Sequence, residues 1–186
     1  MPLTAGTRLG PYEVVAPLGP DGKWLLYFPV GAQDILALPL TGDRKPISIV
    51  QAPFVEAEVH FSPDGRWIAY TSNETGRFEV YVQPFPPTGA RSLISTTGGR
   101  QPMWRRDGKE LFFVNDDQKF YAVDVRAGST FEFGTPHFLF AMRANVFNTR
   151  NSYVPSRDGQ KFLVNMLLES AISSISVVTS WTAEVK

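Results

Sequence analysis

Apolar and polar residues alternate along this chain in short bursts, and no long 3.6-residue period runs through it. The second quarter shows the pattern most fully. Ala57–Phe61 (AEVHF) reads as a strand closed by the turn sequence SPDG. Trp67–Ser72 (WIAYTS) is nearly all apolar, as expected of a strand buried on both faces. Asn73–Arg77 (NETGR) is a polar turn, and Phe78–Phe85 (FEVYVQPF) alternates with period two. Pro86–Gly89 is a loop, Arg91–Thr96 (RSLIST) supplies a fourth strand, and Gly98-Gly99 breaks the chain before Gln101.

This unit recurs. Four segments align without gaps on an Asp-Gly pair: GPDGKWLLYF from Gly19, FSPDGRWIAYTS from Phe61, WRRDGKELFFVN from Trp104 and PSRDGQKFLVNM from Pro155. The pairs are Asp21-Gly22, Asp64-Gly65, Asp107-Gly108 and Asp158-Gly159, so the glycines are spaced by 43, 43 and 51 residues. The extra residues of the third unit fall between Phe131 and Asn151. Asp-Gly is turn chemistry: Asp bonds its own downstream backbone, and Gly supplies a positive φ. Unit one reads as strands Tyr12–Pro17, Lys23–Phe28, Asp34–Leu40 and Pro46–Gln51. Unit three reads as Lys109–Asn115, the turn Asp116-Asp117, Phe120–Arg126 and a strand near His137–Met142. Unit four reads as Tyr153–Pro155, Lys161–Leu167 and Ser174–Trp181, with no fourth strand, and Leu3–Leu9 could complete it from the other terminus. The best helical candidate, Phe162–Ile172, lies among too many serine and β-branched residues to be assigned as helix.

Four antiparallel strands in about 43 residues is the length of one propeller blade. The expectation is therefore an all-β chain: a β-propeller of about four four-stranded antiparallel blades, with units near 12–56, 57–100, 101–151 and 152–186. Four blades could close into one small ring, or form half of an eight-bladed ring completed by a second chain. An open array would leave apolar faces and strand edges bare.

Composition narrows the function. The chain has 186 residues and no cysteine, which removes disulfide scaffolds, thiolate metal sites and cysteine nucleophiles. Lys+Arg and Asp+Glu are 18 each, so no bulk basic field exists for nucleic acid or for a membrane surface. No apolar run is long enough to span a bilayer, and MPLTAGTRLGPYEVV lacks the basic and apolar regions of a secretory signal. On those terms the chain as written reads as cytoplasmic.

The run from FSPDGRWIAYTS through TTGGRQPMWRRDGKELFF resembles the TolB-type, WD-like propeller repeats found at the C-terminus of acidobacterial-type serine/threonine protein kinases and winged-helix regulators. The resemblance covers about residues 20–186. Residues 1–19, MPLTAGTRLGPYEVVAPLG, resemble the opening of such a kinase up to the first glycine of its glycine-rich loop. The match then stops: no H-R-D catalytic loop and no D-F-G occur, so phosphoryl transfer has no apparatus. The resemblance implies a kinase–propeller product without its kinase, with residues 1–19 integrated as a blade strand and parent propellers that can lie outside the cytoplasm.

Candidate chemistry is sparse. His60 and His137 are too few for a metal site without carboxylates, and no G-x-S-x-G elbow is present. Asn115, Asp116 and Asp117 could offer oxygens to calcium, yet they occupy a hairpin position where Asn and Asp are favoured for turn reasons. The aspartates of the four D-G pairs recur in every unit, as structural turn residues do. Arg100, Trp104, Arg105 and Arg106 form the densest basic–aromatic cluster and could hold an anion or acidic peptide at one mouth of a channel. Alternatively, Trp104 packs between blades and the arginines are a solvated rim. The expectation is a binding or scaffolding module for a protein or peptide, without catalytic residues, metal or cofactor; the alternative is a ligand-sensing propeller.

Overall fold

The computed structural model describes residues 8–9, 12–16, 19–29, 34–143, 151–166 and 175–179. Its described residues form strands and no helix, in four antiparallel sheets. Blade 1 holds β1 (Arg8–Leu9), β2 (Tyr12–Ala16), β3 (Trp24–Pro29), β4 (Ile35–Pro39) and β5 (Ile47–Val50), paired in that order. Blade 2 holds β6 (Glu56–Phe61), β7 (Trp67–Ser72), β8 (Glu79–Pro84) and the short β9 (Ser92–Leu93). Blade 3 holds β10 (Arg100–Trp104), β11 (Glu110–Val114), β12 (Lys119–Ala127), β13 (Phe131–Phe133) and β14 (His137–Ala141). Blade 4 holds β15 (Tyr153–Pro155), β16 (Lys161–Asn165) and β17 (Ile175–Thr179).

Two elements differ from the sequence expectation. Arg8-Leu9 does not complete blade 4; it pairs antiparallel with β2, with Arg8 opposite Glu13 and Leu9 opposite Tyr12. Leu3–Thr7 lie outside the described residues. The insertion in unit three carries an unexpected strand, β13. At nine residues, β12 is long enough for β14 to pair with its first half and β13 with its second. Of the region 162–172, residues 162–165 are strand; 167–172 lie outside the described residues.

The four D-G turns are built alike. The glycine N–H donates to the carbonyl three residues back in every unit: Gly22 to Gly19, Gly65 to Ser62, Gly108 to Arg105, Gly159 to Ser156. The aspartate Oδ1 accepts the backbone N–H two residues on, from Lys23 at 3.0 Å, Arg66 at 3.2 Å, Lys109 at 3.0 Å and Gln160 at 3.0 Å. Glycine is required there, because φ is between 70° and 74° at all four. The turns also nest: Pro20 packs over Gly65, Pro63 over Gly108 and Arg105 over Gly159.

Successive side chains of a strand face opposite sides of its sheet, so one strand feeds two cores. In β7, Ile68 and Tyr70 face blade 1 with Leu26, Ile35 and Val59. Trp67 and Ala69 face blade 3 with Trp104, Leu111 and Phe113. In β11, Phe112 and Val114 face blade 4 with Phe120, Tyr153 and Phe162. Aromatic rings fill the third wedge edge to face, with Phe112 and Phe162 at 5.1 Å between centroids. Each fully buried ring of this size contributes roughly 1.5–3 kcal/mol.

Candidate functional site

Three features could carry function: the inner strands, the D-G rim and the opposite rim. The inner strands β2, β6 and β10 each show a register shift at one repeat position, occupied by Val15, Glu58 and Gln101. Glu58 and Gln101 both sit at φ 55°. That conformation aims each side chain at the next blade. The Gln101 N–H donates to Glu58 Oε2 at 2.7 Å, and Thr71 Oγ1 donates to the same oxygen at 3.1 Å. One blade further, the Ser152 N–H and Oγ donate to Gln101 Oε1 at 2.8 and 2.6 Å. The Tyr153 hydroxyl closes on the Gln101 carbonyl at 2.8 Å. The result is a ladder of side-chain acceptors and backbone donors across blades 2, 3 and 4. Burial pushes the Glu58 carboxyl up to about 7.

The D-G rim carries a groove of about 870 Å³ between blades 2 and 3, lined by Asp64, Arg105, Lys109, Asp124 and Arg126 among others. Arg105 is fixed in its wall, with Nε 2.7 Å from Asp107 and Nη1 2.7 Å from Glu110. Its guanidinium holds Asp107 below the ordinary carboxylate value. Arg66 links two of the lining residues, pairing with Asp64 at 2.7 Å and donating to the Ala127 carbonyl at 3.1 Å. Lys109, Asp124 and Arg126 make no ion pair among the described residues.

The opposite rim carries the turns Asn73–Gly76 and Asn115–Gln118. Between blades 1 and 2, three buried polar atoms there meet no hydrogen-bond geometry among the described residues, Glu56 Oε2, Tyr70 OH and Tyr81 OH, although Arg91 acts on the Tyr70 hydroxyl and Glu74 on that of Tyr81. The two rings stack at 5.7 Å. Arg91 lies over Tyr81 and pairs with Glu74 at 2.7 Å. Burial pushes Glu56 up to about 7, and the carboxylates of Asp34 and Glu74 add to the shift.

The basic–aromatic cluster is divided by the fold. Arg100 opens β10 at the opposite rim, over the Phe78 ring at 3.9 Å and 2.6 Å from Asp116. Arg105 and Arg106 follow β10 at the D-G rim, and Arg106 is exposed. Trp104 is buried between blades 2 and 3, with Nε1–H directed at the His60 carbonyl at 3.4 Å. Asn115 caps its hairpin by accepting the Lys119 N–H at 3.0 Å, Asp116 pairs with Arg100 and Asp117 lies 3.5 Å from Lys119. Burial lowers the His60 pKa; its Nε2 is 2.8 Å from Asn151 Nδ2, on the inner strands, whereas His137 begins the outer strand β14. Among the described residues, no three His, Asp or Glu side chains converge as a metal site. Sequence reading missed the ladder, although spacings of 43 and 51 residues place Glu58, Gln101 and Ser152 at one repeat position.

No protein-family model matches the sequence, and no curated protein matches it. Solved structures do match the fold. TolB from Acinetobacter baumannii superposes with a TM-score of 0.67 at 18% identity, covering 88% of this chain and 39% of its own. A TolB of Agrobacterium tumefaciens gives 0.64 at 22%, covering 87% of this chain and 56% of its own. A puromycin-hydrolyzing peptidase of Mycobacterium tuberculosis gives 0.58 at 21%, covering 86% and 28%. The chain thus spans well under two thirds of each of these neighbours. It has the β-propeller fold, similar to that of the two TolB structures, and one fold of this kind hosts many functions. Among the described residues, no helix is long and apolar enough to cross a membrane.

Proposed function

We propose that this chain is a non-catalytic β-propeller binding and scaffolding module, derived from a kinase-associated propeller, that receives an extended acidic segment of a partner protein on its D-G rim. The observation that carries the reading is the groove between blades 2 and 3. In its wall Arg105 is held by Asp107 and Glu110, and beside it Arg66 is held by Asp64 and the Ala127 carbonyl. Arg105 is shared by Asp107 and Glu110, so the lining, with Arg105, Lys109 and Arg126 against Asp64, Asp107, Glu110 and Asp124, carries no net positive charge. What it offers an acidic ligand is two cations outside any ion pair among the described residues, Lys109 and Arg126. Exposed Arg106 adds a third such cation on the same rim. Such rim charges steer association and give it salt dependence. Fluorescence anisotropy with a Glu/Asp-rich peptide tests this. Binding should weaken by about tenfold, roughly 1.4 kcal/mol, in Lys109→Glu/Arg126→Glu. Equal affinity for a Lys-rich control peptide would overturn it.

A ligand-sensing role is the second reading, favoured by the buried polar atoms of Glu56, Tyr70 and Tyr81 that lack a well-formed hydrogen bond among the described residues in the wedge between blades 1 and 2. Thermal-shift screening of small polar ligands against wild type and Tyr70→Phe supports it only if a ligand stabilises the first alone. Pairing of two chains into an eight-bladed ring draws support from half-exposed Val154 and Leu163 on blade 4. Against it, Leu25 and Tyr27, on the face of β3 turned away from blade 2, are already buried. Light scattering decides: a monomer excludes the paired ring.

A further inference from the structure

The groove and the Glu58–Gln101 rung of the ladder belong to the same joint. Glu58 stands on the innermost strand of blade 2 and holds the backbone of blade 3 through the Gln101 N–H. Gln101 passes the contact on to Ser152 in blade 4. Glu58 is buried, and the charged groups that act on it are Arg100 and Asp116 at the opposite rim. Its charge also bears on the buried Tyr153 hydroxyl in blade 4. Among the described residues, the hydrogen-bond donors to the carboxyl are neutral: Thr71 Oγ1 and the Gln101 amide. A carboxylate in this position accepts a charge-assisted hydrogen bond across the joint; a carboxylic acid accepts a weaker one. Titration of this one group therefore changes how firmly blade 3 is held against blade 2.

We propose that Glu58 is a proton-responsive clasp of the joint between blades 2 and 3, and that through this joint it sets the pH response of the groove on the D-G rim. The second half rests on the binding reading above; the first does not. Its neighbour Glu56 is on the same strand but faces a different set of charges, Asp34, Glu74 and Arg91, at the joint with blade 1. Glu56 is therefore the control. Burial sets the titration of Glu58 near neutrality, about 7, so the two states of the clasp interchange there.

Amide resonances read the clasp directly. In wild type, the Gln101 amide proton should move downfield as pH rises, with a midpoint near 7, and Ser152 should follow with a smaller shift. The transition should vanish in Glu58→Gln and persist in Glu56→Gln. A flat Gln101 titration between pH 5.5 and 8.5, or one unchanged in Glu58→Gln, would overturn the clasp. Should Glu58→Gln not fold, Thr71→Val removes one hydrogen bond to the carboxylate and must raise the midpoint; an unmoved midpoint refutes the assignment. For the groove, affinity for the Glu/Asp-rich peptide should differ by about fivefold between pH 6 and pH 8 in wild type and not in Glu58→Gln. Equal affinity at both pH values, with the amide titration intact, removes the coupling and leaves the clasp. A peptide that binds at neither pH sinks the binding reading and the coupling with it, while the amides still judge the clasp.

Discussion

The second strands of blades 2 and 4 hold the same place in the repeat and meet different surroundings. In β7 every residue is buried, whereas β16 alternates exposed and buried. The residues facing the following blade make the contrast quantitative. Leu26 and Ala69 are 0% exposed and Phe112 is 1% exposed, but the equivalent Leu163 is 44% exposed. Around it, Lys161 and Asn165 stand where blade 3 has Glu110 and Val114 and blade 1 has Trp24 and Phe28. The ladder ends there as well, because the Ser152 hydroxyl is committed to Gln101. An inner blade thus puts two apolar faces into two joints, and blade 4 puts one. Stability in a repeat architecture is the sum of such joints, so equal substitutions should have unequal effects.

The largest effect is expected at Phe112→Ala. Its ring fills the third wedge against Phe162, and its loss should cost about 3–5 kcal/mol in denaturant unfolding. Next comes pH. Glu56 and Glu58 both titrate near 7 in the folded chain, above the ordinary 4.5. The unfolded chain therefore gives up these protons first, and stability should fall as pH rises from about 4.5 to 7 and level off above. The pair accounts for a loss on the order of 1–3 kcal/mol. Urea melts across that range should show the slope in wild type and a flatter one in Glu56→Gln/Glu58→Gln.

The D-G glycines sharpen the comparison at the rim. A Cβ at Gly22 meets nothing within 4 Å, so Gly22→Ala should cost only the positive φ, about 1 kcal/mol. At Gly159 it would meet Arg105 Cδ at 2.8 Å and Phe112 Cζ at 3.1 Å. Arg105 is tethered to Asp107 and Glu110 and cannot swing away, so Gly159→Ala should cost about 1 kcal/mol more. Leu163→Ala should show the smallest change, under about 1 kcal/mol, because half the side chain already meets water. A Leu163→Ala loss as large as that of Phe112→Ala would show that this face is covered in solution.

The fold was legible because it is repetitive and local. An Asp-Gly pair with an apolar strand after it needs no distant partner to be read, and the four turns share geometry to within a few degrees of φ. The fold class and most strands follow from that alone. What escaped depends on distance and on exceptions to pattern. β13 exists because β12 runs past its partner β14, which no alternation in Phe131–Phe133 announces. The basic cluster Arg100, Trp104, Arg105, Arg106 is contiguous in sequence, but the strand between its members carries Arg100 to one rim and Arg105 and Arg106 to the other. Glu58 and Gln101 look like exposed polar residues of an inner strand. The register shift at their position turns them into the joint instead.

The central claim is that the D-G rim between blades 2 and 3 is the binding face. Mapping amide shift changes while titrating a Glu/Asp-rich peptide tests it most directly. The account predicts changes clustered at Asp64, Lys109, Asp124 and Arg126. Changes confined to Glu56, Tyr70 and Tyr81 at the opposite rim, or no changes at any peptide concentration, would contradict it.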